Sequence, residues 1–389
     1  MNQAPIAVNA SQPPSAPRGE PAEGRSEPGR DITAGARGLY IPSLDGLRCV
    51  AILLVFLSHA MMAAGVPRLV PGHFGVTLFF FLSGYLITTL LRLEIAQSGN
   101  VNIPLFFVRR ALRIFPTFYL VLATTGLFGL YMGATDPWYL LAQALHTTNY
   151  LIILGGWLAP IAPYTDVYWS LAVEEHFYLA FPALFLLMSR RWPRREVAAW
   201  LLGVCGLVLL WRCILVFGYA VPYDRTYVAT DTRIDAILFG CILALWGNPA
   251  LDATRFTEAT WKRLLFPLSV VGLLLSLGLG GREIRESLGY TVQALCLFPV
   301  FIVAVRYPEW GVMRLLNLRP VKWIGLLSYA IYLTHVSVLH VCKAVLGATL
   351  GPLTLSAAVL TLGVAALLYY GIERPVGRLR QRYRTATSK

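Results

Sequence analysis

Ten stretches of the chain are almost wholly apolar, and each is close to the length that an α-helix needs to cross a bilayer. A hydrocarbon core of about 30 Å takes about 20 helical residues. Of the 389 residues, 57% are hydrophobic and only 14% are charged, whereas about 25% of an ordinary soluble chain is charged. These values exclude an ordinary soluble enzyme and a disordered chain, and they predict an all-α, polytopic bundle of about ten transmembrane helices. The predicted spans are 46–64, 74–92, 112–132, 168–188, 199–218, 233–247, 264–280, 289–305, 323–345 and 353–371.

The segments outside these spans are short. Residues 1–39 are rich in Pro, Ala, Gly, Ser, Arg and Glu, a composition that predicts a disordered tail. Residues 377–389 form a basic tail, which leaves 40–376 as the membrane domain. The stretch 138–159 is also apolar, but glycine and proline residues interrupt it. We therefore expect an interfacial or re-entrant segment there; if it spans the membrane instead, the topology downstream inverts.

The basic residues indicate the orientation of the bundle, because Lys and Arg concentrate in the cytoplasmic loops of membrane proteins. With ten spans and a cytoplasmic N-terminus, 26 of the 33 Lys and Arg residues lie on the cytoplasmic side and six on the other side. We therefore expect a bacterial inner-membrane protein with both termini in the cytoplasm. The net charge of +13 then reflects topology and contact with anionic lipid in the bilayer. It does not indicate nucleic-acid binding.

Ionisable side chains are costly inside a membrane span, so each one is a candidate functional residue. Arg48 and His59 are eleven residues apart in the first predicted span, which places them on one helix face, about 16 Å apart along the axis. A cationic entrance that leads to a buried imidazole suits an anionic substrate entering from the cytoplasm. The alternative is that Arg48 anchors the helix at the interface and His59 forms a hydrogen bond between helices.

Arg110 and Arg113 lie three residues apart at the start of the third predicted span, on one face of the helix. Two neighbouring guanidinium groups repel each other unless an anion bridges them, and phosphate oxygens match the guanidinium fork well. This pattern predicts a phosphate-binding site. A basic flank that only sets the topology explains the same two residues.

The segment from Trp169 to Tyr178 holds two carboxylates and a histidine at the predicted outer mouth of the fourth span. Glu174 and Tyr178 share a helix face, whereas Glu175 and His176 point elsewhere. A carboxylate near an imidazole can fix its tautomer and stabilise the imidazolium ion during proton transfer. Packing is the alternative role for this segment.

Two further pairs of polar residues are weaker indications of a functional site. Arg233 and Asp235 open the sixth predicted span, where they form either a structural ion pair or part of a site. Tyr332 and His335 lie three residues apart in the ninth predicted span. A polar stripe that lines a cavity and a hydrogen-bond network between helices explain this second pair equally well.

We interpret the remaining polar residues as structural. We expect Glu373 to cap the tenth span, and we interpret His73, His146 and His340 as isolated packing residues. The six cysteines lie in apolar stretches without CxxC spacing, which indicates neither a disulfide framework nor a metal site.

Taken in order, these motifs resemble acyltransferase family 3, integral membrane proteins that O-acylate carbohydrates and some natural products. The resemblance extends over about residues 40–376. The matching stretches are Leu44-Asp45-Gly46-Leu47-Arg48 with His59 eleven residues on, Phe79–Tyr85 with Ser83, Arg110-x-x-Arg113, Trp169–Tyr178, Thr232–Asp235, Ser328–His335 and Glu373-Arg374-Pro375.

The resemblance implies acyl transfer, here expected to be acetyl transfer, from a cytoplasmic acyl-CoA to a hydroxyl group. Acyl-CoA is then a co-substrate, and we expect no bound cofactor and no metal. His59 and Glu174 are implied as catalytic, and Arg48, Arg110 and Arg113 as donor-binding residues. Further candidates for acceptor binding or structural support are Asp45, Ser83, Tyr178, Arg233, Asp235, Tyr332 and His335.

The chain departs from the family pattern in two ways. Thr77 stands where the family usually has aspartate, so any role of that carboxylate is absent. Some family members carry a periplasmic hydrolase-like domain after the helices. Fewer than 20 residues follow Ile372 here, so we expect the bundle to act alone.

We therefore expect direct transfer to a hydroxyl of a cell-surface polysaccharide or lipid-linked sugar. His59 is the expected general base, and Glu174 is expected to orient its imidazole or balance the imidazolium charge. A covalent route through an acyl-His, or through an acyl-Ser at Ser58 or Ser83, is the mechanistic alternative. A soluble, macrolide-type natural product is an alternative acceptor. A transporter or flippase for a lipid-linked sugar is a rival function, and inverted repeats would favour it; we find none in the sequence.

Overall fold

The structure, a computed structural model, describes residues 40–278, 281–347 and 349–383, apart from the side chain of Gln381. All regular secondary structure within these ranges is helical. The predictions made for residues 1–39 and 384–389 lie outside the described residues.

The α-helices follow one another along the chain with short connections. They are α1 (Pro42–Ala63), α2 (Gly72–Ser98), α3 (Ile103–Tyr131), α4 (Pro137–Ala144), α5 (Thr148–Gly155), α6 (Trp169–Arg191), α7 (Arg194–Cys213), α8 (Tyr223–Tyr227), α9 (Thr230–Leu245), α10 (Glu258–Thr260), α11 (Phe266–Gly278), α12 (Arg282–Ile284), α13 (Tyr290–Arg306), α14 (Met313–Leu316), α15 (Arg319–Leu346), α16 (Leu350–Leu368) and α17 (Arg374–Gln381). A 3-10 turn at Asp166–Tyr168 precedes α6, and π-helical turns lie at Ile214–Gly218, Trp261–Leu265, Arg285–Gly289 and Tyr369–Glu373.

Nine helical segments in the described part of the chain are long and apolar enough to cross a membrane. They correspond to nine of the ten predicted spans. The other predicted span, 233–247, forms α9, which has 16 residues and is about 24 Å long. Most of its side chains are buried because α2 and α7 pack against it. The predicted polytopic bundle of about ten helices is confirmed.

Helices α1 and α15 run parallel and touch near their N-terminal ends. A Cβ atom on Gly325 of α15 would lie only 1.8 Å from the carbonyl oxygen of Asp45 in α1. Small residues let membrane helices approach this closely. Further along the same two helices, His335 meets His59. The glycine contact therefore helps to set the register that brings the two histidines together.

The apolar stretch 138–159 does not form one continuous span. It is divided between α4 and α5, which have eight residues each and are each about 12 Å long. Helices α3 and α6 are antiparallel. Phe118 of α3 packs on Tyr168 just before α6, whereas Arg110, which comes earlier in α3, pairs with Glu174, which comes later in the chain. The intervening segment therefore begins and ends at the same end of the bundle, as expected for a re-entrant or interfacial piece.

The last helix continues beyond the expected end. We expected Glu373 to cap it, but a π-helical turn leads into α17, which ends at Gln381. Proline within a regular helix clashes with a carbonyl group of the preceding turn. The wider π-helical turn just before Pro375 provides the physical reason why the helix continues.

The two ends of the described chain lie at one end of the bundle. The charges of Arg48, near the start of α1, and of Arg380, in α17, both act on Arg113. Arg109 also donates a hydrogen bond to the carbonyl oxygen of Tyr383 at 3.4 Å. We call this the arginine end, defined by Arg48, Arg110 and Arg113. An even number of crossings follows, as the ten-helix arrangement requires.

Candidate active site

Two histidines from the parallel helices α1 and α15 form the centre of the site. Nε2 of His335 lies 3.2 Å from Nδ1 of His59, and the ring centroids are 5.0 Å apart. His335 is fully buried, whereas His59 is partly exposed. Each histidine was a candidate from sequence, but no sequence pattern pairs residues that lie 276 positions apart.

Backbone carbonyl groups determine which ring nitrogens of this pair carry hydrogen. Nδ1 of His335 faces the carbonyl oxygens of Ile331 at 3.1 Å and Tyr332 at 2.8 Å. Nδ1 of His59 faces the carbonyl oxygen of Val55 at 2.9 Å. Because a carbonyl oxygen only accepts hydrogen bonds, both Nδ1 atoms are donors in the neutral rings. The single Nδ1 hydrogen of His59 is then shared between the carbonyl oxygen of Val55 and Nε2 of His335, which accepts at the longer distance, and Nε2 of His59 keeps a free lone pair.

Tyr332 lies beside this pair and links α15 to the start of α6. Its hydroxyl group donates to the carbonyl oxygen of Val167 at 2.9 Å and lies 2.6 Å from Oγ of Ser170. Its ring centroid is 5.7 Å from that of His335. These bonds attach α15 to the start of α6, so the second alternative from sequence, an interhelical network, describes Tyr332.

His59 also lines a cavity of about 110 Å³. The remaining lining residues come from α1 and from the C-terminal half of α15, and they are Met62, Ala63, Val336, Leu339, His340 and Lys343. We call the end of the bundle that holds this cavity the cavity end. Arg48 lies about 16 Å from His59 along α1, so His59 stands between the arginine end and the cavity.

The isolated histidines have different surroundings. His146 is buried and stacks on Phe118 with ring centroids 4.4 Å apart, and burial lowers its pKa to about 4, so the predicted packing role is confirmed. His340 was also interpreted as a packing residue, but it lines the cavity and stacks on Tyr164 at 4.1 Å. The sequence analysis did not single out His340 and Lys343, which line the cavity beside His59. The signal was available, since both follow His335 on the same helix within three turns.

The arginine end gathers the three predicted donor-binding residues. Arg113 is exposed and has no carboxylate within ion-pair distance among the described residues. The charges of Arg48 and Arg110 act on it. Arg48 also pairs with Asp45 at 2.6 Å, which makes Asp45 a support for the cluster. The three guanidinium groups are thus brought together, whereas the spacing grouped only Arg110 with Arg113.

Glu174 lies at the arginine side of the site and not beside His59. It accepts hydrogen bonds from the hydroxyl groups of Tyr178 at 2.6 Å and Ser83 at 3.1 Å, and it pairs with Arg110 at 3.5 Å. The guanidinium carbon of Arg110 stands 3.4 Å from the centroid of the Tyr178 ring. The predicted shared face of Glu174 and Tyr178 is confirmed.

This arrangement changes the expected roles of two residues. We expected Glu174 to orient the His59 imidazole, but among the described residues His335 and Val55 contact that ring. Glu174 instead fixes the guanidinium group of Arg110. The face of α6 that carries Glu174 and Tyr178 meets Arg110 of α3, so Glu174 lies at the arginine side of the site and not at the outer mouth where the sequence analysis placed it.

The expected ion pair between Arg233 and Asp235 is wrong. Residues two apart on a helix do not face each other, and Asp235 pairs with the fully buried Arg212 at 2.8 Å. Arg212 also donates to the carbonyl oxygens of Thr232 and Ser287. Asp235 therefore serves a buried structural network.

Arg233 is buried among aromatic rings instead. Its guanidinium carbon lies 3.7 Å from the ring centroid of Tyr290, and Nη2 donates to the hydroxyl oxygen of Thr77 at 3.2 Å. Thr77 is the position where the resemblance led us to note the absent carboxylate. The rings of Phe80, Trp169 and Tyr227 stand within 6 Å, so cation–π attraction offsets part of the cost of burying this charge.

A protein-bound metal ion would need several His, Cys, Asp or Glu side chains close together. The structure describes residues 40–278, 281–347 and 349–383. These ranges contain no group of three or more His, Cys, Asp or Glu side chains that could hold a metal ion.

Comparison with known proteins matches the chain to one protein family. A family model described as an acyltransferase domain, that of acyltransferase family 3, matches residues 41–370. The peptidoglycan O-acetyltransferase OatA of Listeria monocytogenes is 27% identical over 330 residues, which are 80% of this chain and 51% of that protein. A Bacillus subtilis protein named "Putative peptidoglycan O-acetyltransferase YrhL" is 29% identical over 368 residues, 87% of this chain and 55% of that protein.

The chain thus spans about half the length of the curated relatives that it matches. No solved structure is detectably similar to it. The family model covers most of the chain and includes both histidines and the three arginines of the site. The chain therefore belongs to acyltransferase family 3.

Proposed function

We propose that the protein transfers an acetyl group from acetyl-CoA to a hydroxyl group of a cell-envelope glycan, either a polysaccharide or a lipid-linked sugar. The observation that carries this proposal is the His59–His335 pair, which leaves Nε2 of His59 unprotonated at the wall of a cavity. The names of the two relatives support acetyl as the group and a glycan as the acceptor.

In the proposed reaction, Nε2 of His59 removes the proton from the acceptor hydroxyl group. The hydroxyl oxygen attacks the thioester carbonyl carbon, the carbon–sulfur bond breaks, and the leaving thiolate takes the proton back from His59. The products are an ester and free coenzyme A. General base catalysis of this kind contributes roughly 10²–10⁴-fold. Nε2 of His335 accepts the Nδ1–H bond throughout, so it orients the ring and stabilises the imidazolium ion.

The donor reaches His59 from the arginine end in this proposal. Arg113, with Arg48 and Arg110 beside it, holds the phosphate groups of acetyl-CoA. Glu174 and Tyr178 keep Arg110 in place for this purpose. The pantetheine arm then extends along the first helix toward the histidines, and the acceptor enters from the cavity end.

This route assigns sides to the membrane. Acetyl-CoA is a cytoplasmic metabolite, so the arginine end and both termini are cytoplasmic in the proposal. The bias of 26 Lys and Arg residues against six supports the same orientation. The cavity end then faces away from the cytoplasm of a bacterial inner membrane, where envelope glycans are exposed.

The direct test uses the purified full-length protein in lipid nanodiscs with acetyl-labelled acetyl-CoA and a peptidoglycan glycan strand. We expect label in the glycan as an alkali-labile ester, and none without protein. Hydrolysis of acetyl-CoA without any labelled glycan, or no consumption of acetyl-CoA by an intact protein, contradicts the proposed function.

A further inference from the structure

Two cations flank the cavity beside His59. Lys343 lines the cavity directly, and it is exposed. The guanidinium group of Arg68 donates to the sulfur of Met62, another lining residue, and the charge of Arg68 acts on His59. We propose that this cavity selects an acceptor that carries a negative charge close to the hydroxyl group that is acylated. The proposal rests on the acyltransferase function proposed above.

Two other basic residues on the predicted non-cytoplasmic side are ion-paired. Arg225 pairs with Asp231 at 2.5 Å, and Arg285 pairs with Glu286 at 3.0 Å. Among the residues that the structure describes, neither Lys343 nor Arg68 has a carboxylate within 4 Å. The cavity therefore has a positive charge that its own walls do not balance.

The spacing along α15 sets the distance between Lys343 and the histidine pair. Lys343 follows His335 by eight residues on α15, which is about 12 Å along the axis. A carboxylate or phosphate group one sugar unit away from the reacting hydroxyl would reach the ammonium group. Lysine acts as a mobile point charge and does not require one fixed anion geometry.

The rest of the cavity suits a sugar ring. His340, three residues before Lys343, is stacked on Tyr164 with ring planes 20° apart. Val336 and Leu339 provide an apolar wall. A pyranose ring has an apolar face and a polar rim, so it can contact this wall while its charged substituent meets Lys343. The donor's own phosphates bind at the opposite, arginine end, and they do not account for Lys343 or Arg68.

The test compares two acceptors that differ only in charge: a peptidoglycan glycan strand with free muramyl carboxylates, and the same strand with those carboxylates converted to amides. The full-length protein is used in nanodiscs as wild type, Lys343→Gln, Lys343→Glu and the control Lys322→Gln. Lys322 lies on the same helix at its other end. Acetyl transfer and direct binding of each strand, without acetyl-CoA, are both measured.

We expect the wild type and Lys322→Gln to bind and acetylate the carboxylate strand better than the amide strand. Lys343→Gln should raise the acceptor KM for the carboxylate strand by roughly tenfold, the equivalent of losing about 1.4 kcal/mol, and Lys343→Glu by more. The KM for the amide strand should change little in either variant.

The two readouts separate failure of this inference from failure of the proposed function. Carboxylate-dependent binding that requires Lys343, without transfer, supports the charged site and contradicts the acyltransferase proposal. Equal transfer to both strands, unchanged by Lys343→Glu, overturns the inference and leaves the acyltransferase proposal intact. If Lys343→Glu changes only thermal stability or lipid binding, Lys343 contacts phospholipid headgroups and the inference is overturned. The inference is also overturned if the wild type binds neither strand.

Discussion

At the scale of single residues, the most specific claim concerns His335. Its Nδ1 donates to two backbone carbonyls of its own helix, so its Nε2 accepts from His59. His335 is thus a positioning residue in this account, because it acts on the substrate only through His59.

Replacement of His335 should lower kcat without weakening donor binding. We expect His335→Ala to reduce kcat by roughly tenfold or more, because the His59 ring loses the acceptor that fixes its tautomer. His335→Gln should recover part of the rate, since its side-chain oxygen lies near the position of the histidine Nε2 and can accept the same hydrogen bond. Steady-state kinetics with acetyl-CoA measures both. If His335 only stabilises the fold, both variants should lose the same fraction of folded protein and of the rate, and His335→Gln should not rescue the loss.

The arginine cluster gives the second prediction. Arg113→Gln and Arg110→Gln should raise the KM for acetyl-CoA with a smaller change in kcat, because they remove contacts to phosphate and not to the reacting atoms. Loss of a charged hydrogen bond of about 1.5 kcal/mol corresponds to roughly tenfold. Arg195→Gln, at an exposed site on α7, is the matched control. Unchanged donor KM in both test variants would leave the cluster with a topological role only.

At the scale of helices, the contact of Gly325 with Asp45 controls the separation of α1 and α15. A Cβ atom there meets backbone, which cannot move aside, and such overpacking costs about 1–3 kcal/mol. We expect Gly325→Ala to lower the melting temperature and to reduce transfer, because the histidine pair lies further along the same two helices. Thermal unfolding in detergent and a transfer assay check this.

Gly363 on α16 provides the control for that experiment. A Cβ atom there would meet nothing within 4 Å, so Gly363→Ala should keep full activity and melt no earlier than wild type. Equal melting temperatures for Gly325→Ala and wild type would show that the helices do not depend on this close approach.

The helices themselves were largely predictable from the sequence, because each apolar stretch must satisfy its backbone hydrogen bonds within itself. The exceptions have local causes. Helix α9 is too short for a typical span, yet every residue from Ala236 to Leu245 is buried because other helices surround it. The extension into α17 depends on a π-helical turn before Pro375, a feature that hydropathy does not record.

The site was only partly predictable, because its central contacts are between distant segments. Spacing along one helix correctly grouped Arg110 with Arg113 and Glu174 with Tyr178. It could not pair His59 with His335, or Asp235 with Arg212, since those contacts depend on which helices become neighbours. The misplaced role of Glu174 has the same origin.

At the scale of the whole molecule, the account requires one orientation in the membrane. Reporter fusions after Gln3 and at Lys389 should both give the cytoplasmic signal, because the basic residues are concentrated at that end. The electrostatic contacts of Arg113 with Arg48 and Arg380 place the two described chain ends together. Reporters on opposite sides would contradict the ten-crossing arrangement, and two reporters outside would reverse the proposed donor and acceptor entrances.

The central claim is that Nε2 of His59 is the proton acceptor in acetyl transfer, and the rate of His59→Gln at saturating acetyl-CoA and glycan tests it most directly. Glutamine preserves hydrogen bonding but cannot act as a base, so the account predicts a loss of roughly 10²-fold or more in kcat. Donor KM and melting temperature should stay close to those of wild type. A His59→Gln variant that turns over at nearly the wild-type rate would contradict the account.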